Sequence, residues 1–68
     1  MLYDKSHGSP YDRGSADSYY GRGIRPHKWV FENNYLGDTV TDLTPEEVEA
    51  YLAGYKENEA MQNWKNYD

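Results

Sequence analysis

The chain contains no cysteine, which removes the disulfide framework and the thiolate zinc site that staple many small secreted domains, and fits a reducing cytoplasm. It has no apolar run of the roughly 18 residues a membrane helix needs. Its first 25 positions carry charges and glycines where a secretory leader requires an apolar stretch, so neither a span nor export is expected. Branched aliphatic residues are scarce, with four Leu, three Val and one Ile in 68 residues, and mean hydropathy is -1.13. One small domain with a thin core and marginal stability follows.

What replaces the aliphatics is aromatic: eight Tyr, two Trp and one Phe. Such side chains bury a large area while keeping a polar tip, which suits a thin fold or a contact surface. Charge is segregated. Residues 1–37 hold five cationic against four acidic side chains, and residues 38–68 hold two against eight, so the net -5 lies wholly in the second half. An acidic half of this kind steers toward basic protein surfaces, and any phosphate contact must come from the first half.

The pattern predicts a mainly α fold in which residues 1–8 form a flexible lead-in and 9–68 a single small domain. Ser9-Pro10-Tyr11-Asp12 combines a hydroxyl cap, a proline in the first helical position and an acid three residues after the cap, predicting a first helix over about 10–21 that ends at Gly21 or Gly23. Gly, Pro and Asn then punctuate a linker with room for a short hairpin of Trp29-Val30-Phe31 and Thr39-Val40-Thr41. Thr44-Pro45-Glu46-Glu47 is a capping box, with Leu43 and Val48 placed as a hydrophobic staple. It opens a second helix over 45–57, either stopping near Asn58 or continuing to 66. Val48, Tyr51, Leu52 and Tyr55 form an apolar stripe on it, expected to pack on the first half, and Ala50, Ala53, Ala60, Met61 and Trp64 lie on the opposite side, where a second copy in a homodimer would fit.

No arrangement supports catalysis or a cofactor. His7 and His27 lack a third ligand at metal spacing, Gly21-Arg22-Gly23 lacks the spacing of a phosphate-binding loop, and so thin a domain can hardly enclose an active-site pocket. The expectation is a non-enzyme with no metal. The segment from Tyr19 to Trp29 does interleave cations with aromatics, as contact with RNA or an acidic partner would require. Arg13, Tyr19, Tyr20, Arg22, Arg25 and Lys28 are the candidate contacts. The alternative is that these cations pair with the acidic helix while the aromatics fill the core.

Arg13-Gly14 and Gly21-Arg22, with the arginines at a spacing of nine, Pro26-His27, and Tyr51-Leu52-Ala53-Gly54-Tyr55-Lys56-Glu57 resemble the corresponding pieces of the ribosome modulation factor family. The Tyr11 to Gly14 start is similar to short bacteriophage and prophage proteins. The resemblance implies a two-helix protein on the small ribosomal subunit. Members that bind ribosomes are strongly basic, and this chain departs from them in being acidic and in having a longer linker from Trp29 to Leu43.

The leading expectation is a small acidic binding protein of phage type, cytoplasmic in the host bacterial cell, that docks on a basic host protein surface and modulates it. Glu46, Glu49, Glu57 and Glu59 supply the acidic face, and Tyr51, Tyr55 and Trp64 the aromatic anchors. The alternatives are association with the small ribosomal subunit through the arginines, and a self-associating structural phage component.

Overall fold

The computed structural model describes residues 3–31 and 37–65. Two helices, α1 (Pro10–Tyr19) and α2 (Pro45–Met61), flank a two-stranded antiparallel hairpin of β1 (Lys28–Val30) and β2 (Asp38–Val40). Trp29 stands opposite Thr39, with Lys28 opposite Val40 and Val30 opposite Asp38. The strands begin one residue earlier than the sequence pattern predicts. No described helix is long and apolar enough to cross a membrane.

Both helix starts follow from their caps. The Ser9 hydroxyl accepts from the Asp12 N–H at 3.2 Å. At α2 the Thr44 hydroxyl accepts from the Glu47 N–H at 3.1 Å while the Glu47 carboxylate accepts from the Thr44 N–H at 2.9 Å, a complete capping box. The helix ends also have physical causes. After α1, Gly21 takes a left-handed φ of +67°, and the Gly21 and Arg22 N–H groups turn back to the Ser18 and Asp17 carbonyls at 3.1 and 2.9 Å, a Schellman closure. At α2 the same closure is made by a glutamine: Gln62 adopts φ 55°, and the Asn58 side chain helps by donating to the Asn63 carbonyl at 2.8 Å. That moves the end of α2 past Asn58 to Met61, short of 66.

The helices touch backbone to backbone. A Cβ on Gly14 would fall onto the Tyr51 carbonyl, and a Cβ on Gly54 onto the Tyr11 carbonyl. The relation is reciprocal: Tyr11, Gly14 and Ser18 on α1 face Tyr51, Gly54 and Asn58 on α2, each set at i, i+3 and i+7. This corrects the expected stripe. The buried line of α2 is Tyr51, Gly54 and Asn58, whereas Val48, Leu52 and Tyr55 are only half-buried, because the closest approach is set by the glycines and not by the bulkiest side chains. Among the described residues the buried hydrophobic core is Tyr11 and Tyr51.

Residues 3–8, in the segment expected as a lead-in, make several contacts. Tyr3 stacks on Tyr11 at 5.9 Å, Lys5 lies over the Tyr11 ring, and the Gly8 carbonyl accepts from the Trp29 N–H at 2.8 Å, covering the free edge of β1.

Candidate functional site: an arginine cleft

Helical spacing puts Arg13 and Asp17 one turn apart on α1, and both are nearly buried, at 6% and 3% exposure. The Asp17 carboxylate accepts from the Tyr51 hydroxyl, pairs with Arg22 Nε at 3.2 Å and lies 3.7 Å from His27 Nδ1. Tyr51 in turn accepts from the Arg25 backbone N–H at 2.9 Å. One buried phenol therefore ties the linker segment 22–27 to both helices. Burial, reinforced by the Asp17 carboxylate it faces, pushes the Tyr51 hydroxyl well above the usual tyrosine range.

His27 extends the network. Arg13 Nε donates to His27 Nε2 at 3.1 Å, and a guanidinium can only donate, so the imidazole hydrogen sits on Nδ1, which lies 2.6 Å from the Arg25 carbonyl. The Arg13 guanidinium lies 3.7 Å over the Trp29 ring of β1. Above this floor opens a cleft of about 650 Å3 lined by Arg13, Asp17, Arg22, Arg25, Pro26, His27, Trp29, Thr39 and Thr41. Among the described residues, three arginines thus line the cleft with one carboxylate, in a chain of net charge -5. Arg25 is exposed, and no carboxylate among the described residues pairs with Arg13 or Arg25.

The candidate contacts are placed unequally. Arg13, Arg22 and Arg25 converge on the cleft. Tyr19 and Tyr20 pack edge to face at 4.9 Å, outside the cleft lining, with Arg22 over the Tyr20 ring at 4.8 Å. Lys28 is turned to α2, where it pairs with Glu47; that bond, and then the Thr44 N–H, hold the Glu47 carboxyl below its ordinary range. The cleft adds residues that charge pattern alone did not single out: Asp17, His27, Thr39 and Thr41. The one sequence signal for Asp17 is its spacing of four from Arg13.

The acidic face is less available than its composition implies. Glu59 accepts from the Ser18 hydroxyl at 2.5 Å and from Trp64 Nε1 at 2.8 Å, and these bonds, Ser18 first, lower its pKa. Burial, and then the nearby Glu57 carboxylate, push the Tyr11 hydroxyl up to about 12. Glu49 is 3.5 Å from the Tyr3 hydroxyl, which leaves Glu46 without a partner among the described residues. Of the expected anchors, Tyr51 is corrected to a core residue: it is 0% exposed, its ring filling the helix crossing and its hydroxyl spent on Asp17. Tyr55 is half-buried, and Trp64 is 48% exposed.

No group of three or more metal-ligating side chains occurs among the described residues. No family of proteins, no curated protein and no solved structure matches the chain.

Proposed function

We propose that the protein is a small non-catalytic binding module that engages RNA, in the manner of a ribosome-associated factor on the small subunit, through the arginine cleft. The observation that carries this reading is the convergence of Arg13, Arg22 and Arg25 on one cleft that, among the described residues, is lined by one carboxylate, Asp17, in a chain whose overall charge is negative. A net negative protein gains no long-range steering toward RNA, so what favours contact is local: cations set in a concave surface and fixed by hydrogen bonds before the partner arrives. With one phosphate engaged, the logarithm of affinity should fall with the logarithm of salt at a slope of about -1.

The rival reading, docking of the acidic helix on a basic host protein, keeps Glu46 and Glu49 as exposed carboxylates but loses Tyr51 to the core. Co-sedimentation with bacterial small ribosomal subunits separates the two. Replacing Arg22 and Arg25 by Gln should abolish association, and replacing Glu46 and Glu49 by Gln should leave it intact. The opposite pattern in a pull-down of a basic host protein would select the acidic face. Light scattering at high micromolar concentration tests the self-associating structural role, which a monomer would count against.

A further inference from the structure

We infer that the cleft grips a single backbone phosphate through the outer edge of Arg13, with Arg25 alongside, and so contacts nucleic acid without reading its bases. The inference rests on the cleft being the nucleic-acid contact, and names what that contact recognises. Arg13 is 6% exposed. Its Nε is spent on His27 at 3.1 Å, and its plane is fixed on Trp29 at 3.7 Å. These contacts use one of five N–H donors. No carboxylate among the described residues pairs with it, and none of their side-chain nitrogens or oxygens is both buried and without a hydrogen bond. The two Nη groups therefore open onto the cleft that Arg13 lines.

A guanidinium that is nine-tenths buried, held flat and lacking a counter-charge is costly by itself. It also presents the planar fork that meets two oxygens of a phosphate. Arg25, exposed and unpaired among the described residues, supplies a second charge, while Thr39 and Thr41 offer hydroxyls from the hairpin side. Arg22, whose Nε pairs with Asp17 at 3.2 Å, forms the wall and adds a weaker third charge through its remaining donors.

Base readout has no platform here. Proteins that bind single strands through bases present open aromatic faces. Trp29 instead carries Arg13 and packs with the His7 and Phe31 rings at 5.4 and 6.3 Å, each steeply inclined to it. The His27 ring lies against Tyr51 at 5.7 Å. What the cleft leaves free is charge and hydroxyl.

The test compares short oligouridylate, oligoadenylate and an abasic oligonucleotide of the same length by fluorescence anisotropy, together with thermal unfolding in phosphate and in chloride at equal ionic strength. The three oligomers should bind within about twofold of one another, and phosphate should raise the unfolding temperature relative to chloride. Arg25→Ala should weaken all three about tenfold, the effect of losing one charge-assisted contact. Arg13→Lys, which keeps the charge and loses the fork, should cancel the phosphate effect; if that variant fails to fold, the abasic comparison and Arg25→Ala still decide. Binding of oligouridylate without binding of the abasic oligomer would overturn the phosphate inference and leave RNA engagement standing. Absence of binding by every oligomer would overturn both.

Discussion

Placing a methyl group at the helix crossing isolates the contact on which the fold depends. In Gly14→Ala the new Cβ would lie 2.9 Å from the Tyr51 carbonyl carbon and 3.1 Å from the Tyr55 nitrogen, besides meeting the Tyr51 oxygen more closely still. These are backbone atoms, so no rotamer change relieves them and the helices must separate. Separation loosens Tyr11 and Tyr51 together and stretches the 2.8 Å bond from Asn58 to Ser18. Overpacking of a tight site costs about 1–3 kcal/mol, and contact with backbone belongs at the upper end. Alanine returns about 1 kcal/mol of helix propensity, leaving a net loss of about 2 kcal/mol, which is roughly half of what a core this small supplies. For a domain of this length that corresponds to a fall of about 10 °C in Tm. Gly54→Ala should behave alike, since its Cβ would lie 3.0 Å from the Tyr11 carbonyl carbon and 3.2 Å from the Ser15 nitrogen. The double variant should cost less than the sum, because the first methyl already opens the gap that the second needs. Urea and thermal unfolding followed by far-UV circular dichroism read all three. A Gly14→Ala midpoint at or above that of the parent, or full additivity of the pair, would refute backbone contact at the crossing.

Tyr51→Phe keeps the ring but takes one partner from the Asp17 carboxylate and strands the Arg25 N–H, and should cost about 1–3 kcal/mol in urea unfolding while speeding amide exchange at Arg25. Gln62→Gly relieves a left-handed residue and should stabilise by about 1 kcal/mol, read as a higher Tm. Because the Glu47 carboxyl is held low in the fold by Lys28 and then Thr44, its contribution is present above the ordinary glutamate pKa and lost as pH falls through the folded value. Unfolding midpoints should therefore drop between about pH 5 and 3, and Glu47→Gln should flatten that limb. Tyr11 shifts the other way: raised to about 12 by burial and Glu57, it contributes fully below pH 10, its ordinary value, and progressively less as pH climbs toward 12. Tyr11→Phe should shrink the alkaline loss.

Local signals carried over into structure where they concerned backbone hydrogen bonding. The caps at Ser9 and Thr44 and the turn at Gly21 fixed three of the four helix ends, since each satisfies N–H or carbonyl groups within a few residues of sequence. The fourth end was misplaced because a glutamine in a left-handed conformation gives no compositional warning. The packing face departs from the hydrophobic stripe for a different reason. Hydrophobic periodicity weights Val48 and Leu52 above Gly54 and Asn58, yet in a chain this poor in aliphatics the helices gain more by close backbone approach than by interdigitating large side chains. The signal was nevertheless present: Tyr11-x-x-Gly14-x-x-x-Ser18 and Tyr51-x-x-Gly54-x-x-x-Asn58 repeat one pattern on both helices.

The cleft was legible only as a set of arginines, because its wiring spans the sequence: Asp17 meets Tyr51 across 34 residues, and Arg13 meets His27 across 14. That wiring also explains how a protein of net charge -5 keeps a cationic concavity. Glu47 is spent on Lys28 and the Thr44 cap and Glu59 on Ser18 and Trp64, so these carboxylates serve as internal acceptors on α2. Among the described residues, Asp17 is the carboxylate that lines the cleft, and it takes Arg22. The remaining positive charge is therefore local, and at physiological salt the acidic helix is screened beyond about 8 Å. A ligand that projects an anion into the cleft would feel Arg13 and Arg25 directly, whereas one approaching as a broad polyanionic surface would meet the carboxylates of α2 first. On the proposed reading, a protruding strand or loop would therefore bind better than the flank of a regular duplex.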